Sequence, residues 1–324
     1  MAMTATRVLP GIVVCAAAAL AAWALATAVP AVPLLTAAVA LGILVGQLPL
    51  PAALRPGLGF SSRRLMRIGV VLLGLKLSLG DIAELGWAAI LGAVAVVVLT
   101  FVITWALGRL LRLPGDQPLL IAAGFSICGA SAIGAMSGAL RANDRDAATP
   151  VALVTLCGTL AIAVLPPLQH PLGLDAEQFG HWVGAGVHDV GQVVATAQIA
   201  GPAALAIALV IKLTRVIMLA PMVAVAAAVE RRRGEGDGPR PPIVPLFVVG
   251  FVAAVLIRSF LPVPDEVLHG ADLLQTALLA MALFALGTAV RVRELVTTGW
   301  RALVVGLGSW IVVALLALAA VRLS

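Results

Sequence analysis

Residues 122–140 read AAGFSICGASAIGAMSGAL. The run is apolar enough to lie in a bilayer, yet it carries Gly124, Ser126, Cys128, Gly129, Ser131, Gly134, Ser137 and Gly138. A lipid-facing helix is built of Leu, Ile and Val, so a run this small and hydroxyl-rich packs against protein or lines a polar cavity. Gly134 and Gly138 have the spacing of a tightly packed small-xxx-small helix. The other reading is a discontinuous membrane helix, broken near Ser126 to Ser131, whose exposed N–H groups and hydroxyls hold a substrate near the bilayer midplane. The sequence surrounding the stretch favours the break.

The 324 residues are 62% hydrophobic and 11% charged, with a mean hydropathy of +1.12, whereas a soluble globule is about half apolar and a quarter charged. The apolar runs are far longer than barrel strands, and buried backbone groups must be satisfied within the segment, so the fold class is an all-α polytopic membrane protein. The formal charge of +6 sits largely in loops and does not point to nucleic acid. Cys15, Cys128 and Cys157 lie in apolar segments without a CxxC or Cys/His cluster, so no disulfide, metal or other cofactor is implied.

Runs of about 20 apolar residues fall near 10–29, 31–49, 66–82, 88–110, 119–140, 148–168, 179–200, 203–226, 243–261, 271–290 and 301–322, about eleven in all. The first follows a lone Arg7 and is immediately succeeded by another, which favours an uncleaved first helix over a signal peptide. Counted as through-going spans, they gather Arg7, the Arg55 to Arg67 group, Arg109, Arg112, the Arg231 to Arg240 group, Arg291, Arg293 and Arg301 on the N-terminal side. Arg141, Arg145, Arg258 and Arg322 fall opposite. The excess places the N-terminus in the cytoplasm, with the inner (plasma) membrane as the expected location. The 141–147 loop, RANDRDA, looks cytoplasmic but falls outside in this count, and a re-entrant segment would change the parity of every later span.

Residues 1–324 read as a single transporter domain: a first helix over 1–29, a helix group over 66–226 with both candidate breaks, a cytoplasmic linker over 227–242, and a second group over 243–324. The linker is hydrophilic, ERRRGEGDGPRPP at 230–242, and rich in Gly and Pro. An internal repeat aligns GLKLSLGDIAELGW at 74–87 with GTAVRVRELVTTGW at 287–300, without a gap. The copies sit at the ends of one odd and one even span, the mark of an inverted-topology repeat.

Charge within a membrane segment needs a reason. Lys76 can snorkel to the interface. The seventh span, FGHWVGAGVHDVGQVVATAQ, places His188 and Asp189 side by side among Gly184, Gly186 and Gly191, with Gln192 three residues beyond Asp189. The glycines let the backbone unwind, the carboxylate can hold a proton or sodium ion, and His188 can relay protons near neutral pH. Lys212 and Arg215 are three residues apart and share one helix face. They either neutralise Asp189 or, with more buried cations than anions, offer charge and a guanidinium fork to sulfate, sulfonate or carboxylate oxygens.

FSICGASAIGA at 125–135, VGAGVHDVGQVVATA at 183–197, KLTRVIMLAP at 212–221 and GVVLLGLKLSLGDI at 69–82 resemble the YeiH-type sulfate exporter family of bacterial inner-membrane proteins. The resemblance runs in the same order from about Ala40 to Arg322. It implies kinship of fold with bile-acid/sodium symporters and cation/proton antiporters, in which broken helices cross at the substrate site, and a division into a core and a panel able to mediate a homodimer.

The expected function is secondary active transport of a small anion, sulfate or an organosulfonate, by alternating access within the lipid bilayer. Ser126, Cys128, Gly129, Ala130 and Ser131 would bind the substrate through N–H groups and hydroxyls, with Lys212 and Arg215 compensating charge. His188, Asp189 and Gln192 would hold the coupling proton or sodium ion. A sodium/proton exchanger using Asp189 is the alternative. An enzyme using Cys128 or Ser131 is disfavoured, because nothing in the sequence places a base beside either nucleophile.

Overall fold

The structure is a computed structural model and describes residues 2–29, 33–76, 86–140, 142, 144–232, 246–289 and 300–323. All regular structure among them is helical. Along the chain the helices are α1 (Ala2–Ala28), α2 (Leu34–Gly46), α3 (Arg55–Phe60), α4 (Met66–Leu73), α5 (Gly86–Leu110), α6 (Gln117–Ser126), α7 (Ala130–Leu140) and α8 (Asp144–Leu168). They continue as α9 (Ala176–Gly186), α10 (Val190–Ala197), α11 (Pro202–Ile217), α12 (Leu219–Arg232), α13 (Leu246–Phe260), α14 (Asp265–Thr288) and α15 (Trp300–Leu323). Among the described residues, six segments are long and apolar enough to cross a membrane, at 7–28, 87–110, 146–168, 202–229, 265–288 and 300–323. The chain is an all-α polytopic membrane protein. The third expected span starts earlier than its apolar run, because a wide turn at Ser61–Leu65 joins α3 to α4; its last residues, 77–82, lie outside the described residues.

The chain divides into two compact units, and the division does not follow the 227–242 linker. One unit comprises Met1–Ala83 with Leu246–Val292, the other Glu84–Pro245 with Arg293–Ser324. In the first, α14 lies along α2, and α13 against α4. Small residues permit both contacts. A Cβ on Gly287 would lie 2.6 Å from the Val39 carbonyl oxygen, and one on Gly74 would lie 2.6 Å from that of Phe251. These are the two glycines that head the copies of the sequence repeat, and each lets a helix end press on a neighbouring backbone. Lys76 forms an ion pair with Asp272, so it is neutralised within this unit.

Most of the repeat, residues 77–85 and 290–299, lies outside the described residues. Its closing tryptophans open α5 and α15 of the second unit, where both are exposed. These two helices run antiparallel: Gly92 faces Ala320 at 3.5 Å, and Gly308 faces Leu107 at 3.2 Å, measured from a Cβ built on each glycine. The helices that follow the two copies thus run in opposite senses.

The same unit holds both broken segments, and each doubles back. A Cβ on Gly115, just before α6, would lie 2.5 Å from the Asp146 carboxylate near the start of α8, and one on Gly124 would lie 3.1 Å from Val154. Thus α6 and α8 run parallel, and α7 must return between them. Likewise Gly180 presses on Ala204 and Gly184 on Ala208, so α9 and α11 run parallel with α10 returning between them. The expectation of broken helices that run through and cross is replaced by two re-entrant helical hairpins. The physical reason is that each half-helix, 10 or 11 residues for α6, α7 and α9, spans only about 15 Å, half a bilayer core.

Candidate functional site

Each hairpin has a short tip between its helices, Ile127–Gly129 in the first and Val187–Asp189 in the second. The first turns on Gly129, whose φ of 69° is left-handed and natural only for glycine. Its N–H closes α6 by donating to the Gly124 carbonyl at 3.0 Å, a helix-ending pattern that leaves the next residues free to start α7 in a new direction. The second tip uses no left-handed residue: Val187 and Asp189 are extended, with ψ 147° and 148°. Asp189 then caps α10. Its carboxylate accepts from the Gly191 N–H at 2.9 Å, and the Gln192 side chain accepts from the Asp189 N–H at 3.2 Å, the reciprocal box expected at a helix start.

The tips meet. A Cβ on Gly129 would lie 3.8 Å from both the Cβ and N of Asp189. Gln192 ties the second tip to α8, donating to the Thr155 carbonyl at 3.2 Å and the Thr159 hydroxyl at 3.4 Å, while Val154 lies under the first. These residues are at the middle of α8, a 25-residue helix about 37 Å long. The two hairpins therefore approach from opposite ends of α8 and touch halfway along it.

Lys212 and Arg215 of α11 lie where the tips touch, and both are fully buried. Lys212 donates to the carbonyls of Ile127 at 2.7 Å and Val187 at 2.8 Å, one from each tip. Arg215 donates to Ser126 at 2.6 Å and Phe125 at 3.0 Å in the first hairpin, and to Ala185 and, at 3.3 Å, Val187 in the second. These carbonyls belong to the C-terminal ends of α6 and α9, which carry orphan acceptors and the negative end of the helix dipole. The two cations thus clamp the hairpins together through main-chain oxygens.

The sequence-predicted residues all gather at this place, with unequal access. Ser126 is buried, its hydroxyl donating to the Ala123 carbonyl at 3.4 Å, and Cys128 is buried at the tip. Ala130 is exposed and Ser131 half-buried, and their N–H groups belong to the first turn of α7, which has no intrahelical acceptors. Asp189 is half-buried, while Gln192 and His188 are fully buried. The His188 ring meets Phe125 edge-on at 4.5 Å, and neither of its nitrogens has a hydrogen-bond partner. Sequence reasoning missed Phe125, Thr155 and Thr159. The two threonines, four apart in the apolar middle of α8, were the readable signal.

A separate cavity of about 470 Å³ lies in this unit between the start of α6, the end of α7, α5 and α12, lined by Leu119, Met136, Trp105, Met222 and others, with Arg109 and Asp116 among them. None of the tip residues lines it.

The family model described as Conserved hypothetical protein 698 matches residues 10–306. The chain belongs to that family. Its relatives are UPF0324 membrane proteins: that of Corynebacterium glutamicum is 41% identical over 318 residues, covering 97% of this chain and 92% of the relative. Those of Agrobacterium fabrum and Pseudomonas putida are 36% and 37% identical, covering 82% and 81% of this chain and 78% and 76% of theirs. No solved structure matches the chain. Membership as a UPF0324 membrane protein agrees with the YeiH-type resemblance and with several membrane-length helices, and makes this a multi-pass membrane protein.

Proposed function

We propose that this UPF0324 protein is a secondary active transporter of a small anion, sulfate or an organosulfonate, driven by a proton or sodium gradient through alternating access. One observation carries the reading: two hairpin tips meet halfway along α8 with two buried cations and one carboxylate around them. The two C-terminal and two N-terminal half-helix ends roughly cancel, so Lys212, Arg215 and Asp189 give the junction a formal excess of one positive charge. Because the cations occupy the carbonyl ends, the opposed N–H groups at the start of α7 face outward from them, at Ala130 and Ser131, where the residues are accessible. An unclamped helix start of this kind favours an anion.

The hairpins also support a cytoplasmic N-terminus. Once the first hairpin doubles back, the loop at 111–116 and the start of α8 share a side. Arg141 and Arg145 then join the other loop arginines, and only Arg258 and Arg322 remain opposite, a stronger positive-inside bias than through-going spans give.

The test is flux in proteoliposomes. Labelled sulfate or taurine should accumulate against its gradient when a proton or sodium gradient is imposed, and unlabelled anion should compete. Sodium movement driven by pH alone, with no anion required, would replace this reading with a cation exchanger.

A further inference from the structure

We infer that the coupling ion is a proton carried by His188, taken up together with the anion, and that sodium has no site at the tips. The inference rests on the anion-carrier reading and selects among the three groups that sequence offers for coupling.

His188 is the point where the junction's polar groups do not close. Asp189 is engaged at the first turn of α10, and Gln192 bonds to Asp189, Thr155 and Thr159. The His188 ring is fully buried with both nitrogens unpaired. The Phe125 ring covers it from α6, and the Phe125 main chain lies close by. A neutral imidazole has one N–H donor and one acceptor nitrogen, and burying both unmet is unfavourable. A proton on the acceptor nitrogen turns the ring into a two-donor cation, and an oxyanion supplies the acceptors it then needs. The transferred species are complete in themselves: one proton binds the free lone pair, one anion accepts from the ring, and both leave together.

A sodium ion meets the opposite chemistry. Hard cations need a shell of oxygens. The main-chain carbonyls of Phe125, Ser126, Ile127, Ala185 and Val187 already accept from Lys212 or Arg215. The charged groups facing His188 are Lys212 and Arg215 from α11, with Asp189 next to it in the chain. Lys212 and Arg215 beside the ring leave this spot short of negative charge, which an arriving anion supplies, so proton and anion enter together.

The experiment is sulfate binding to the purified full-length protein by calorimetry, in buffers of different ionisation enthalpy, with and without sodium. Wild type should take up about one proton per sulfate, with affinity falling about tenfold per pH unit on the alkaline side, unchanged by sodium. In His188→Gln, which keeps an amide donor and acceptor but cannot titrate, sulfate should bind with no proton uptake and a flat pH profile. Proton uptake retained in that variant would overturn the role of His188. Wild-type binding that releases no buffer heat or requires sodium, a result independent of whether the variant folds, would overturn proton coupling and leave the anion carrier standing. Absence of binding by sulfate and by sulfonates alike would sink both.

Discussion

The two hairpins have the same architecture but finish their tips differently. The first turns on the left-handed Gly129 and then leaves the start of α7 uncapped by any carboxylate, with Ala130 exposed and Ser131 half-buried. The second turns through extended residues and closes the start of α10 with its own Asp189 and Gln192. Both C-terminal ends are clamped by the same pair of cations. Of the four half-helix ends that meet at the junction, only one is therefore left for a ligand.

The largest expected effect tests the clamp. Arg215→Met removes the charge while keeping much of the volume, and it strands carbonyls of both hairpins in a dry interior. Each stranded acceptor is worth about 1–3 kcal/mol, so the variant should lose about 4 kcal/mol or more, a large part of a typical total stability of about 5–15 kcal/mol. Thermal unfolding in detergent without ligand should show a collapse of the folded fraction. A variant that melts like wild type but no longer binds sulfate would make Arg215 a substrate ligand instead of a clamp.

A smaller effect separates the ways the tips turn. Gly129→Ala forces a side chain into the left-handed region, at about 1–2 kcal/mol, and places its Cβ 3.3 Å from Val154. Gly173→Ala is the control, since Gly173 has a φ of 62° and open space around it. The tip variant should lose more stability than the control by the packing contribution alone. Equal losses would mean that the first tip yields freely and is not held against α8.

The parts of this fold legible in the sequence are those that leave a side-chain signature. Glycine density marked both breaks, joined by serine in the first, because poor helix formers inside a membrane segment have few other uses. The common face of Lys212 and Arg215 could be read from their spacing, but their partners are main-chain carbonyls, which have no residue identity to read. The reversal of the chain at each tip was hidden for a similar reason: two apolar half-helices in series look the same whether they continue or fold back. The one trace was the misplaced RANDRDA loop at 141–147, whose arginines fit only if the first segment returns. The division into units was also hidden. The hydrophilic linker invites a cut at 227–242, yet α15, the last helix, packs with α5 and α9.

The finest test of the open tip is Ser131→Ala. The hydroxyl sits in the first turn of α7, half-buried, and nothing in the fold depends on it, so the unliganded stability should change by less than about 0.5 kcal/mol. If the anion rests on this helix start, the hydroxyl contributes one charge-assisted hydrogen bond, worth about 1.5–3 kcal/mol, and sulfate affinity should fall by about tenfold or more. The matching change at the closed tip, Val190→Thr, adds a hydroxyl at the start of α10, where Asp189 already holds the first turn, and should not raise sulfate affinity. Affinity that is unchanged in Ser131→Ala but improved in Val190→Thr would reverse the assignment of the two tips, because the anion would then be resting on the helix start that the Asp189 carboxylate caps.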